Sequence, residues 1–430
     1  MSTVNQSRVE TSELEVGMYV TRLDRPWTET PFLFQGFFIR SADDIEELRR
    51  YCQHVFIDVE QSGAVADTGN KADTPRQESP AQGERTITGV TSLRYPSPRQ
   101  TAGGGHSNRT VYTPALPVEQ EMKAARKAHS DATKAVQEIL TTLQSGGQLD
   151  IELAQQTVEP MVESVLRNPD AMVWLSRMKQ HDSYSYHHSV GCSIWGIAFA
   201  RHLGLDRQAL YEIGLGCMLF DVGKTRLPQD LLSKPAALSA TEQRVVRNHV
   251  DYSVAILENT AGITSRIISM VHSHHERHDG SGYPDGLKGN KIPTFAKIAG
   301  MVDCYDALTS IRPYAKQRSP YEAVREIYTW RNNLFQTEVV EQFMQAVGAF
   351  PTGSLVELSS GAVGVVIAQN EARRLRPKLM LVLDEHKKKL RHFEMLDLLN
   401  DNQWQNVEQL WIEKCLEPGA YGIDPQELYL

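Results

Sequence analysis

The sequence has few cysteines, no excess of positive charge and no long apolar run. Its five cysteines stand far apart without a CxxC pair, which argues against a disulfide framework or a thiolate zinc site. The net charge of −8 provides no overall field for duplex nucleic acid. No stretch approaches about 18 uninterrupted apolar residues, and the first residues lack a signal-peptide pattern. We therefore expect a cytoplasmic protein with no membrane span and no duplex nucleic-acid partner.

In other respects the composition is typical of a globular protein, and a length of 430 residues predicts several domains. Residues 8–61 predict a small N-terminal α+β domain, and residues 62–118, rich in Gly, Pro, Ser and Thr, predict a disordered linker. Residues 119–350 carry helical periodicity and predict a central all-α domain. Residues 351–430 predict a small C-terminal β module and a tail, because the apolar period falls to two up to about residue 400.

Local signals place several elements within these domains. In the N-terminal domain, LEVGMYVTRL, FLFQGFFI and HVFIDV predict strands, and Ser41 is the expected N-cap of the helix between the last two. In the central domain, LSATEQRVVRNHVDYSVAILEN predicts one helix that opens with a capping box of Ser239 and Glu242. The last 30 residues give no clear pattern.

Nine of the fourteen histidines fall between residues 181 and 278. A single helical histidine is more often a hydrogen-bonded core or surface residue than a ligand, but several on successive helices reverse that expectation. A helical bundle can direct them, together with acidic residues, into one interior space. Imidazole and carboxylate without thiolate suit Fe, Mn, Ni or Zn in a catalytic site. The candidates are His188, Asp221, His249, His274, His275 and Asp303.

The segment ERHDGSGYPDGLKG, directly after the histidine pair, carries four glycines within fourteen residues. Glycines at this density let backbone N–H groups approach an anion, although an ordinary surface turn has the same composition. Lys224, Arg312 and Lys316 are the local cations that an anionic substrate needs in a net-acidic protein. Each could instead be a solvated surface charge, Lys316 above all.

These segments resemble a known family. HHSV at 187–190, DVGKTRLP at 221–228, HHERHDGSGYPDGLKGNKIP at 274–293 and MVDCYDALTSIRPY at 301–314 are similar, in order and spacing, to the HD-GYP family of bacterial cyclic di-GMP phosphodiesterases. The similarity covers about 181–350. The N-terminal segment resembles the small domain of unknown function that precedes HD-GYP in many such proteins.

The resemblance implies an all-α HD-type fold that holds two or three divalent ions, usually iron or manganese. It implies metal ligation by His188, Asp221 as the bridging carboxylate, His249, His274, His275 and Asp303. It implies a catalytic role for Asp221 and Lys224. It implies substrate binding by Lys224, Gly280, Gly282, Tyr283 and Arg312. Lys316 is a further substrate-binding candidate because of its charge. Tyr184 stands where members with a third metal have Glu, so we expect two ions.

One position departs from the family pattern. The histidine of the His-Asp doublet is Phe220 here, and a phenyl ring offers a metal no lone pair. One implied site stays complete, whereas the other keeps three ligands and loses a nitrogen. Three protein ligands plus waters still form a workable open site, and His187 or a water could compensate. The complete site comprises Asp221, His249, His274 and His275, and the reduced one His188, Asp221 and Asp303.

Two functions follow. The first is a phosphodiesterase that opens cyclic di-GMP to pGpG, with either pGpG or GMP as the final product, and with proteins such as those with GGDEF domains as partners. The second is a receptor that binds cyclic di-GMP without turnover. Phe220 supports this alternative because it removes a metal ligand. The retained ligands, cations and glycine loop favour the enzyme.

Overall fold

The structure, a computed structural model, describes the following parts of the chain: residues 6–24, 37–39, 42–58, 110–177, 184–310, 317–370, 375–399, 410–417, 419–423 and 428. The chain divides into two compact units, Met1–Thr110 and Val111–Leu430. The predicted linker lies mostly outside the described residues, as does Ser41. The predicted domain boundaries stay predictions.

The first unit is a four-stranded antiparallel sheet with one helix, so the predicted α+β class is confirmed. The strand order is β1-β4-β2-β3. Val20, Leu48 and Val55 are fully buried between helix and sheet. β1 was not predicted, because Val9 is the one apolar residue in QSRVE. The elements are β1 (Gln6–Glu10), β2 (Tyr19–Leu23), β3 (Phe37–Phe38), α1 (Ala42–Tyr51) and β4 (His54–Asp58).

The second unit opens with a long series of helices, which confirms the central all-α domain. No helix among the described residues is long and apolar enough to cross a membrane. The helices are α2 (Val118–Gln144), α3 (Ile151–Arg167), α4 (Pro169–Ser176), α5 (Tyr184–His202), α6 (Arg207–Leu219), α7 (Gln229–Leu232), α8 (Ala240–Arg247), α9 (His249–Glu258), α10 (Ser265–Ser273), α11 (Thr294–Thr309), α12 (Pro320–Thr329) and α13 (Thr337–Val347).

An aromatic cluster fixes α5 against α11. The Trp195 and Tyr305 rings meet edge-on with centroids 4.9 Å apart, and Phe343 of α13 lies 5.2 Å from Tyr305. Large, buried aromatic rings in edge-to-face contact hold helices in a defined register. This register brings the N-terminal half of α5 beside the middle of α11.

The capping box at Ser239 and Glu242 is confirmed, but the helix that it opens is shorter than predicted. The segment forms two helices, α8 and α9, which are interrupted at Asn248. His249 therefore begins a helix instead of lying in the middle of one. Hydrophobic periodicity continues across the interruption, so the sequence pattern did not indicate it.

The chain ends in a five-stranded antiparallel sheet of order β8-β7-β6-β5-β9, which confirms the predicted β module. The Gln369 N–H after β6 donates to the Asp170 carboxylate of α4 over 3.2 Å, so the sheet contacts the helical part directly. β9 falls in the tail that gave no pattern, since only Ile412 of this strand is buried. The strands are β5 (Leu355–Leu358), β6 (Val363–Ala368), β7 (Lys378–Leu383), β8 (Lys389–Asp397) and β9 (Ile412–Leu416).

Candidate metal centre

Four potential ligands converge where α6, α9 and α10 end or begin. Their donor atoms all lie within 4.8 Å of one another. The Nε2 atoms of His249 and His275 are 3.1 Å apart, close to the spacing of two imidazoles bound to one cation through bonds of about 2.1 Å. We call this group the first cluster: Asp221, His249, His274 and His275.

Backbone carbonyls fix the ring orientation of two histidines in the first cluster. His249 Nδ1 lies 2.7 Å from the Val246 carbonyl, and His274 Nδ1 lies 2.6 Å from the Val271 carbonyl. Each Nδ1–H donates to its carbonyl, so in the neutral ring each Nε2 carries a lone pair directed into the cluster. His274 Nε2 and Asp221 Oδ1 are buried and make no hydrogen bond. Buried polar atoms without a partner are costly unless a cation binds them, so these residues fit a metal ion.

A second group of potential ligands lies between α5 and α11. His188 Nε2 is 3.2 Å from Asp303 Oδ1, and Cys192 lies one helical turn after His188. We call this group the second cluster: His188, Cys192 and Asp303. The donor set expected from the sequence contains no thiol, whereas the i, i+4 spacing on α5 brings the Cys192 sulfur to the same face as His188.

Asp221 lies between the two clusters. Its Oδ1 is 3.3 Å from His249 Nε2, and its Oδ2 is 3.6 Å from His188 Nε2. The ammonium of Lys224 lies 2.5 Å from the same Oδ2. One carboxylate thus faces both clusters, as a bridging ligand must.

The turn that carries Asp221 reaches α9 because residue 223 has no side chain. A Cβ at Gly223 would lie 2.1 Å from the His249 carbonyl oxygen. The Gly223 N–H donates to the Ser253 hydroxyl over 2.8 Å, which holds the turn against α9. Glycine at this position therefore lets Asp221 approach His249.

The electrostatics of the site favour cation binding. Burial would raise the pKa of Asp221, but Lys224 and His249 lower it well below the usual value. Burial lowers the pKa of His274 to about 4, so this ring is neutral near pH 7. Anionic carboxylates and neutral imidazoles are the protonation states that bind metals.

His188 is buried among carboxylates. Burial lowers its pKa, but Asp303 and Asp306 outweigh that effect and raise the pKa to about 9. His188 Nδ1 lies 2.7 Å from Asp306 Oδ2, the arrangement by which carboxylates orient metal-binding histidines. A cation at the second cluster must therefore displace a proton from His188 Nε2.

The glycine-rich loop folds back onto the histidine pair. A Cβ at Gly282 would lie 2.5 Å from both the His275 carbonyl oxygen and the Glu276 Cα, so only glycine fits. The Tyr283 ring then stacks on His275, with centroids 4.6 Å apart, and the exposed Arg247 guanidinium lies 4.7 Å from the Tyr283 centroid. The loop thus lies beside the first cluster.

A buried carboxylate anchors the loop. Glu276 accepts hydrogen bonds from the N–H groups of Asp285 and Leu287 at 2.8 and 2.9 Å. These bonds fix the half of the loop that follows Tyr283, because charge-assisted hydrogen bonds are stronger than neutral ones.

Three family models and several curated proteins match this sequence. A model of the HD domain matches residues 169–339, a domain of unknown function (DUF3391) matches 6–154, and a KOW domain associated with HD domains matches 355–418. A cyclic di-GMP phosphodiesterase of Pseudomonas aeruginosa is 31% identical over 430 residues, covering 96% of this chain and 97% of the relative. The chain belongs to the HD-GYP family.

Other relatives match this HD-GYP chain over a shorter span. The cyclic di-GMP phosphodiesterase response regulator RpfG of Xanthomonas campestris is 34% identical over 163 residues, which cover 36% of this chain and 43% of the relative. A 3'3'-cGAMP-specific phosphodiesterase of Vibrio cholerae is 33% identical over 128 residues, which cover 30% of this chain and 24% of the relative.

The structure brings the six predicted metal ligands of this HD-GYP chain into the two adjoining clusters, and it puts Lys224, Gly282 and Tyr283 at or near them. Gly280 lies in the glycine-rich loop, where a Cβ would be 3.4 Å from the Gly286 carbonyl oxygen. Arg312 and Lys316 lie outside the described residues, and the side chain of Tyr184 is not described. The roles of all these residues stay predictions.

Sequence reasoning missed four side chains at this centre. Asp306 could have been found by its i, i+3 spacing from Asp303, and Cys192 by its i, i+4 spacing from His188. Glu276 and Arg247 gave no local signal, because their roles depend on the path of the glycine loop.

Proposed function

We propose that this chain is a metal-dependent phosphodiesterase that hydrolyses cyclic di-GMP to linear pGpG and further to GMP. The observation that carries the proposal is the position of Asp221, whose two oxygens face two clusters of potential ligands beside a glycine-rich loop. Membership of the HD-GYP family and the activity named for the relatives support it. These findings do not favour the receptor alternative.

Two divalent cations, iron or manganese, would occupy the clusters. Bound there, they would supply Lewis-acid activation of water and of a phosphoryl oxygen. The proposed ligands are the six side chains expected from the sequence, with Asp221 as the bridging group. Nε2 of His274 and Oδ1 of Asp221 are buried without a hydrogen bond, which supports this assignment.

The protein's own side chains would bind and orient the phosphodiester. Lys224 is one-third exposed and pairs with Asp221, so its ammonium can contact a phosphate that enters from solvent and neutralise charge as the P–O bond breaks. Gly280, Gly282 and Tyr283 would form the wall beside the first cluster, and Arg312 and Lys316 would add phosphate contacts.

The proposed activity also implies a cellular location and partners. A second messenger is made and consumed in the cytoplasm, so we propose a cytoplasmic protein with cyclic di-GMP as its small-molecule partner. GGDEF-domain proteins are the proposed protein partners. The net charge of −8 disfavours duplex nucleic acid.

The test is product analysis with the purified full chain. Protein loaded with Fe²⁺ or Mn²⁺ without oxygen is incubated separately with cyclic di-GMP and with 3'3'-cGAMP, and products are separated by chromatography. We expect pGpG and then GMP from cyclic di-GMP. His274→Ala should abolish turnover, whereas His272→Gln on the same helix should retain it. Binding without product would support the receptor instead, and turnover of 3'3'-cGAMP alone would refute the proposed substrate.

A further inference from the structure

We infer that Cys192 is a thiolate ligand of the cation at the second cluster, in place of the imidazole that Phe220 does not provide. The inference rests on the proposed function, because it assumes that a cation binds beside His188 and Asp303. It adds a ligand that the family's His-Asp pattern does not contain.

The geometry of α5 and α11 brings three different donor atoms together. The Cys192 sulfur lies 3.8 Å from Nε2 of His188, the ring nitrogen that faces Asp303, since Nδ1 is bonded to Asp306. A nitrogen and a sulfur bound to one tetrahedral ion through bonds of about 2.1 and 2.3 Å lie about 3.6 Å apart. The sulfur, a His188 nitrogen and an Asp303 oxygen all lie within 4.8 Å of one another. These separations fit a shared cation.

Phe220 leaves the second cluster short of a ligand. Its ring is fully buried, with centroids 5.9 Å from His188 and 4.7 Å from His274. The side chain thus neighbours a histidine of each cluster and contributes no lone pair. His188, Asp303 and Oδ2 of Asp221 supply three donors, and Cys192 supplies a fourth. Four protein ligands would make this site as complete as the first cluster.

Coordination changes the protonation of the thiol. The sulfur binds the cation as thiolate, so its S–H proton passes to solvent water as the sulfur–metal bond forms. Thiolate is a soft ligand that favours Fe²⁺, Co²⁺ and Zn²⁺, whereas Mn²⁺ prefers oxygen donors. Cys192 therefore favours iron over manganese at the second cluster.

Cobalt provides a direct test in the full chain. Co²⁺ bound to thiolate shows a near-ultraviolet sulfur-to-cobalt charge-transfer band, whereas Co²⁺ bound only by nitrogen and oxygen shows visible d–d bands without it. We expect the charge-transfer band in the native protein and in Cys217→Ser, which changes an equally buried cysteine of α6. Cys192→Ser should lose the band and bind one cobalt equivalent at least about tenfold more weakly.

A variant that keeps only Cys192, with the other four cysteines changed to serine, covers the case in which Cys192→Ser does not fold. Retention of the band in this variant supports the inference. Visible d–d bands without a charge-transfer band, or a band that survives in Cys192→Ser, would overturn the inference and leave the proposed metal centre intact. A native protein that binds no cobalt would overturn both.

Discussion

Phe220 meets His274 edge-on, with ring centroids 4.7 Å apart and an interplanar angle of 89°. The same phenyl ring lies 5.9 Å from the ring of His188. A hydrocarbon side chain therefore contacts a histidine of each cluster at the position that carries a histidine in the family pattern. The substitution lies inside the site and not on its periphery.

Replacing Phe220 with histidine should add a nitrogen donor between the clusters. We expect Phe220→His to bind the more weakly held cation at least about tenfold more tightly and to turn over substrate at an equal or higher rate. Calorimetric titration and elemental analysis measure the affinity and the ion count. Phe220→Leu is the control, because it keeps an apolar side chain and should leave metal affinity unchanged. Equal affinities in the native protein and Phe220→His would contradict the prediction.

Asp306 should act through His188 without binding a cation itself. Asp306→Asn removes the charge beside His188 Nδ1, so we expect about 10- to 100-fold weaker binding at the second cluster. In the cation-free protein the pKa of His188, now about 9, should fall, as histidine NMR titration would show. Ser310→Ala removes only a hydroxyl that bonds the same carboxylate, and it should have a much smaller effect. An unchanged His188 pKa in Asp306→Asn would refute this role.

Glu276 should affect substrate binding and not metal content. In Glu276→Gln the amide cannot accept both backbone N–H groups of the loop, which costs about 1–3 kcal/mol of local stability. We expect KM for the cyclic dinucleotide to rise while elemental analysis shows unchanged metal. Glu258→Gln, at an exposed position of α9, is the matched control. A loss of metal in Glu276→Gln would contradict the prediction, because it would show that the loop also affects metal binding.

His129 on α2 should make the helical unit sensitive to acid. Burial, with a smaller effect of His187, lowers its pKa from 6.5 to about 4. The unfolded chain therefore binds more protons than the folded chain between these values, and stability falls as the pH drops from about 6.5 to 4. The loss at His129 amounts to about 3 kcal/mol.

Denaturant unfolding at pH 7 and at pH 4.5 measures this loss. We expect His129→Gln to lose less stability than the native protein between the two pH values. His386→Gln, at an exposed turn of the C-terminal sheet, should retain the native difference. Identical pH dependence in His129→Gln and the native chain would rule out this contribution.

The sequence predicted those features whose residues all lie within one helix or strand. Histidines at the ends of successive amphipathic helices predicted a shared interior site, and the capping box at Ser239 predicted a helix start that the structure confirms. The sheet at the C-terminus followed from a period of two. Such signals lie within one element, so one sequence suffices to find them.

The sequence was less informative where a role depends on packing between elements. The interruption at Asn248, which directs His249 toward Asp221, lies within an unbroken apolar pattern. In the sequence Cys192 resembles an ordinary core cysteine, because its proximity to Asp303 depends on the packing of α11 against α5. Strand β1 has too little apolar content to be predicted, and it forms through pairing with β4.

The phenyl ring of Phe220 also makes the two clusters chemically unlike. The first offers three imidazoles and a carboxylate, whereas the second offers one imidazole, a carboxylate and a thiol, so cations bound at the two clusters would differ in affinity. A scarcity of metal would leave the protein with a single ion. Under a mechanism that needs both, nutritional supply of the metal would then limit how fast the cell clears its messenger.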